Sequence, residues 1–146
     1  MRAVTANAKY KCTAEIEIRF RDTDAFGHVN NAVYLTYLEM ARVKYWKEVV
    51  GVADFTKADF IFARAVIDFR APSFVGETLE VHCRVSRLGN KSFDFEYEIR
   101  NRESGRLVAE GTTTQVMYDH AARKSKPMPE NLRNLLSEFE NIPKNS

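Results

Sequence analysis

Cysteine is scarce: Cys12 and Cys83 are the only two in 146 residues, and they form no Cys-x-x-Cys pair. That argues against a disulfide framework, although the two could still pair with each other. Cys83 falls in an alternating apolar stretch, where a small core residue is expected. No apolar run approaches the roughly 18 residues that a membrane-spanning helix needs. The opening MRAVTANAKYKC has no continuous apolar core of the signal-peptide kind, so a cytoplasmic location is expected. An excess of one charge is also missing. The 22 basic and 20 acidic residues leave a net charge of +2, which does not call for nucleic acid or an anionic membrane as partner. A local basic patch for an anionic ligand stays open. There is no internal repeat, no low-complexity tract and no phosphate-binding glycine loop.

What remains is an ordinary globular composition, 45% hydrophobic and 29% charged. The length implies one domain over residues 1–146. A chain of this size buries roughly two thirds of its unfolded surface, so neither metal nor disulfide is required for folding. Ala14, Ile16, Ile18 and Phe20 alternate with polar residues, as in a half-buried strand. From about Asn31 the period becomes helical, through Val33, Tyr34, Tyr37, Leu38, Ala41 and Tyr45, with Gly51 as a stop. A helix from about 31 to 50 would be roughly 30 Å long.

Four further strands follow, separated by the turn signals APSFVGE, LGNKS and RESGR. Their apolar sets are Ile61, Ala63, Ala65, Ile67 and Phe69, then Leu79, Val81, Cys83 and Val85, then Phe93, Phe95, Tyr97 and Ile99. The last strand, about 106 to 118, is rich in β-branched residues. A short final helix carries Leu132, Leu135, Leu136 and Phe139 on one face, and the tail NIPKNS is expected to fray. Strands joined by short turns are antiparallel neighbours. One face of such a sheet must be covered, and the long helix is the only large candidate. The expected class is α+β, an antiparallel sheet of about five strands wrapped around one long helix.

The joint between the first strand and that helix, DTDAFGHVNNAVY, is unusually polar. Asp22 and Asp24 share a face if the strand continues. Asn30 and Asn31 are good helix caps, and Gly27 permits backbone that other residues resist. The free N–H groups of a first helical turn carry partial positive charge and can polarise a carbonyl. A carboxylate facing them can attack that carbonyl or deprotonate a water. These are the ingredients of acyl transfer. An aspartate ahead of a helix also serves as a cap or a surface charge, and the local pattern leaves that open. Asp22, Asp24 and His28 could in principle coordinate zinc or manganese. No second cluster supplies further ligands, so neither a metal nor a cofactor is expected.

At RFRDTDAFGHVNNAVYLTYLEMAR, from Arg19 to Arg42, the chain resembles a known family. The stretch reads D-x-D-x-x-G-x-V followed by Y-x-x-Y-x-E-x-A-R. With DFRAPSFVGETLEVHCRVSRLGNKSFDFEYEI and GRLVAEGTTTQVMYD, it is similar to the hot-dog-fold thioesterases of the 4-hydroxybenzoyl-CoA thioesterase type, including those associated with the Tol-Pal system. The resemblance covers about residues 13 to 136. It implies a long helix wrapped by an antiparallel sheet. It implies that Asp24 is the catalytic carboxylate, as nucleophile or as base for water, and that the N–H near Asn31 polarises the thioester. Asp22 matches a structural position. The chain also departs from the family. Many Tol-Pal-type members have His where Asn31 stands, whereas here the histidine is His28, in GHVNN. That form is similar to plant acyl-ACP thioesterases, in which an Asp and the His four residues later share the site, although the Asn between them is Phe26 here. His28 is therefore a candidate for orienting Asp24 or water. Glu39 reads as structural, paired with Arg42 or Arg64.

The resemblance implies an acyl-CoA thioesterase, with acyl groups on acyl carrier protein as the alternative substrate. A non-catalytic acyl-binding module is a further alternative, since fold does not fix function. Phe26, Gly27, Tyr34 and Arg64 are candidate substrate contacts. The aromatics could line an acyl slot or simply pack the core, and Arg64 could meet a CoA phosphate or only solvent. Hot-dog relatives place their sites between subunits, and an open sheet leaves edges to be covered. A homodimer, or a homotetramer built from two, is expected.

Overall fold

A computed structural model describes residues 9–145. The first eight residues, which carry most of the signal-peptide reading, and Ser146 of the tail lie outside the described residues. The elements are β1 (Cys12–Glu17), α1 (Val33–Tyr45), β2 (Phe60–Phe69), β3 (Thr78–Leu88), β4 (Ser92–Asn101), β5 (Leu107–Asp119), β6 (Lys124–Ser125) and α2 (Glu130–Glu140). The strands are antiparallel in the order β1-β3-β4-β5-β2, and the two-residue β6 adds to the far end of β5. α1 packs over β1 and β3. Its buried stripe of Tyr34, Tyr37, Leu38, Ala41 and Tyr45 follows the helical period expected of it. It meets Leu79, Val81, Cys83 and Val85 of β3 and Phe93, Phe95, Tyr97 and Ile99 of β4, every one at most 1% exposed. The helix continues beyond Tyr45 as a five-residue π-helical turn, Trp46–Val50, and ends at Gly51. Trp46 is ringed there by Phe60, Phe93 and Phe95 at centroid distances of 4.9 to 6.4 Å. Aromatics packed in this way dominate core energetics.

Four expectations are corrected. β1 stops at Glu17, and Phe20 begins a 3-10 turn with its ring 81% exposed. Alternation therefore fails at its last member, and Asp22 and Asp24 share no strand face. In β2 a bulge at Ala63 shifts the register: Phe62 pairs with Gln115 but Arg64 with Thr114. One extra residue reverses every side chain before it relative to those after it. Phe60, Phe62, Ala65, Ile67 and Phe69 consequently face α1, while Ile61 and Arg64 face outward. The helix begins two residues later than Asn31. The tail does not fray but folds back: Ile142 N–H donates to Ser137 O, and the Arg133 guanidinium to Lys144 O.

β2 is an edge strand held only by β5, and it approaches β5 closely where Gly111 faces Ile67. A Cβ on Gly111 would overlap the Val66 carbonyl oxygen. Gly111→Ala must push the edge strand outward, at an expected cost of about 2 kcal/mol, the range of core overpacking. The midpoint of chemical denaturation measures this cost, and an unchanged midpoint would contradict so close an approach.

Candidate active site

The polar joint is a closed loop. Asp22 is 3% exposed. Its carboxylate accepts the Arg19 N–H at 3.1 Å, the Arg19 guanidinium at 3.0 Å and the Tyr37 hydroxyl of α1 at 2.8 Å. Burial pushes this carboxyl upward, but the Arg19 and Tyr37 donors outweigh it and hold it below the ordinary carboxylate range. The Asp22 carbonyl accepts the Asn30 N–H at 2.9 Å, which closes the loop between the two residues. Val29 N–H donates to Ser73 O, and His28 bridges to Phe74, so the APSFVGE turn braces the loop from the other side.

Asp24 stands at the head of the inner turn. Its Oδ1 accepts the Phe26 N–H at 2.8 Å and the His28 N–H at 3.3 Å. Its own N–H donates to His28 O at 2.7 Å, and Gly27 N–H donates to the Asp24 carbonyl. Gly27 turns the chain at φ +81, a conformation that costs other residues energy. One carboxylate oxygen is thus fixed by backbone donors. Among the described residues nothing donates to the other, which lies on an exposed face.

The first helical turn lies at the other end of the loop. Asn30 caps it, with Oδ1 accepting the Ala32 N–H at 3.0 Å and its carbonyl accepting the Val33 N–H. Asn31 precedes the helix and is exposed, and among the described residues no acceptor takes its N–H. Such an amide can bind a developing oxyanion. The arrangement pairs a fixed, half-committed carboxylate with an unsatisfied amide on two ends of one braced loop.

The other candidates are placed as follows. Phe26 is 84% exposed at the tip of the turn. The His28 ring is half-buried, packed edge-on to Phe74 at 5.1 Å, and meets Asp24 through its backbone rather than its imidazole. Tyr34 is 2% exposed, a core residue against Tyr37 and Phe69 at 5.7 and 5.5 Å. Arg64 points from the outer sheet face, opposite Thr114 and near Asp94, whose carboxyl it helps to lower; it is not brought together with Asp24. Asp22, Asp24 and His28 do not converge, and among the described residues no three such groups could hold a metal. A polar cavity of about 620 Å³ opens beside the bracing turn, lined by Gly76, Asn101, Arg102, Ser104 and Arg106 among others, and touches neither Asp24 nor Asn31.

A family model described as the thioesterase-like superfamily matches residues 18–136, from the end of β1 into α2, with the whole loop inside it. The chain belongs to the thioesterase-like superfamily. It is 27% identical over 130 residues to the long-chain acyl-CoA thioesterase FadM of Escherichia coli, covering 86% of this chain and 96% of that protein. Against the 1,4-dihydroxy-2-naphthoyl-CoA hydrolase of Synechocystis the identity is 29% over 128 residues, covering 81% and 88%. A Thermus thermophilus thioesterase crystallised with coenzyme A and Zn superposes with a TM-score of 0.82 at 30% identity, covering 92% of this chain and 98% of that one. The curled antiparallel sheet around one long helix is thus the hot-dog fold of this thioesterase superfamily.

Within that superfamily fold, two features of this chain escaped the sequence. Glu39 is exposed and pairs with neither Arg42 nor Arg64 among the described residues. Arg42 instead turns inward, 5% exposed, donating to the Tyr97 hydroxyl at 3.1 Å and lying 5.2 Å from the Phe62 ring. The signal was present: Arg42 falls one turn after Leu38 on the buried stripe. The second feature is the half-open inner face of β2, where Phe62 and Phe69 remain 45% and 46% exposed.

Proposed function

We propose that the protein hydrolyses acyl-CoA thioesters to a free carboxylate and CoA. The observation that carries this reading is the Asp24 carboxylate, oriented through one oxygen by two backbone N–H groups with the other left open, on the loop that leads to the free Asn31 amide. The acyl carbonyl binds the Asn31 N–H, which stabilises the tetrahedral oxyanion. The open Asp24 oxygen takes a proton from the attacking water, or it attacks the carbonyl carbon to give an acyl–Asp24 anhydride that water then hydrolyses; in both cases CoA leaves as its thiol. Phe26 and Gly27 flank the reacting group, and His28 fixes the turn through its amide. Supporting this reading, the FadM and Synechocystis relatives carry acyl-CoA hydrolase names. The two differ in substrate, one a long-chain acyl group and the other an aromatic one. A panel of aliphatic and aryl acyl-CoAs, followed by free-thiol detection, tests the proposal. Turnover of at least one class is expected, and no thiol release from any would overturn it. The same acyl group presented on acyl carrier protein is expected to be the poorer substrate.

The working unit is a homodimer. β2 is an unpaired edge with apolar Ile61, Phe62, Val66 and Phe69 each 39–46% exposed. Edges of this kind are paired or covered in stable proteins. Phe20 and Phe26 on the loop and Phe74 and Val75 on the turn that braces it, all exposed, offer a second apolar surface for a neighbouring subunit to cover.

A further inference from the structure

Among the described residues, Arg42 is a buried cation without a carboxylate counter-ion. Its guanidinium donates to the Tyr97 hydroxyl, which shares a 2.6 Å hydrogen bond with Thr113; Gln115 in turn donates to Thr113 at 2.9 Å. Every member of that network is neutral. Nε of Arg42 is buried and unpartnered, and among the described residues no carboxylate forms an ion pair with the side chain. An unpaired buried charge is strongly unfavourable, and removing one partner of such a pair typically costs several kcal/mol. One turn earlier on the same helix stands Glu39, exposed and, among the described residues, equally without an ion pair.

The packing shows where these two residues lie. α1 runs antiparallel to β2: Tyr34 meets Phe69, Arg42 meets Phe62 and Trp46 meets Phe60. Arg42 therefore sits level with Phe62, and Glu39, one turn nearer Tyr34 on the helix, lies closer to the middle of the strand, where Ala63 and Ala65 are small and exposed. When two copies of an edge strand meet antiparallel about a two-fold axis, the pairing register sets where that axis crosses, and pairing along the whole strand puts it at the midpoint. Residues level with the midpoint then face their own counterparts. A glutamate and an arginine three apart there form a self-complementary patch.

We propose that Glu39 of each copy supplies the missing counter-charge to Arg42 of the other, so that two reciprocal ion pairs flank the two-fold axis of the homodimer. The inference rests on the dimer proposed above and adds which side chains hold it. Phe62, over the guanidinium, shields each pair from water, which strengthens it.

The test is sedimentation analysis of the wild type, Glu39→Gln, Arg42→Met and the double variant. Glu39 is exposed, so its replacement leaves the monomer fold intact by circular dichroism. Met keeps the stem of Arg42 while removing the charge. Each single change is expected to raise the dimer Kd by about tenfold, and the double change by no more than either alone, because the two residues act on one contact. Glu39→Lys, which sets two cations together, is expected to raise it by about a hundredfold. Additive single effects, or a Glu39→Gln dimer as tight as the wild type, would overturn the pairing while leaving the dimer standing. A wild-type chain that stays monomeric at high concentration would overturn both. An unchanged Kd for Arg42→Met, accompanied by lost turnover of acyl-CoAs bearing a terminal carboxylate, would reassign Arg42 to the substrate and overturn the pairing.

Discussion

Asp24→Asn is expected to lower kcat on the best acyl-CoA by about a thousandfold, the middle of the range for losing a positioned acid–base group. Thermal stability should hardly change. The reason lies in how the side chain is used. The Oδ1 that accepts the Phe26 and His28 N–H groups survives in the amide, so the turn keeps its hydrogen bonds. Only the second oxygen, open and charged, becomes an NH2 group with no nucleophilic or basic character. The substitution therefore separates chemistry from folding at a single position. KM should move little, because the carboxylate acts on the transition state rather than on the bound acyl chain. Asp24→Ala is a useful contrast, since it also removes the turn bonds and should lower stability by about 1 kcal/mol. A normal kcat in Asp24→Asn would end Asp24's candidacy and move the search to Glu39, the other exposed acidic residue of the motif.

The residues made some of this legible and hid the rest for identifiable reasons. β3 and β4 were plain, because the alternation holds over Leu79–Val85 and Phe93–Ile99 and each of those apolar inner residues is at most 1% exposed. α1 and α2 were plain as well, because their apolar stripes keep the helical period. β2 was misread in detail because a bulge leaves no mark in an alternation of Ala and Ile. Once Ala63 is the extra residue, Phe62 rather than Ile61 faces the helix. Phe20 was misread because alternation cannot show where a strand stops. There the Arg19–Asp22 bonds wind the chain into a 3-10 turn and send the ring outward. In the loop, the motif identified the chemistry-bearing residues, but periodicity could not show that His28 presents its amide to Asp24 while its ring packs on Phe74. The inward turn of Arg42 was signalled by its place on the buried stripe, but an Arg on a helix is ordinarily a surface residue, so the signal was passed over.

The second large effect is expected at Asp22, where Asp22→Ala should remove about 3 kcal/mol of unfolding free energy, because hydrogen bonds to a buried charge are the strong ones. The residue joins three pieces: the Arg19 turn, the Tyr37 face of α1 and, through its carbonyl, Asn30 at the helix start. Without the carboxylate, the Tyr37 hydroxyl stays buried with no acceptor. That hydroxyl already titrates above its ordinary range, first through burial and then through its bond to Asp22. The effect carries a pH signature. The folded-state pKa of Asp22 lies below its ordinary 3.8, so the stabilisation is complete above that value and is lost as pH falls through the folded pKa. Asp22→Asn should consequently narrow its gap to the wild type on acidification below pH ~4, where the unfolded chain's Asp22 takes up its proton before the native carboxylate does. Denaturant unfolding at neutral pH and at the acid limit measures both arms. A gap that is constant across that range would mean that the charge of Asp22 contributes nothing, and that its role is confined to hydrogen-bond geometry.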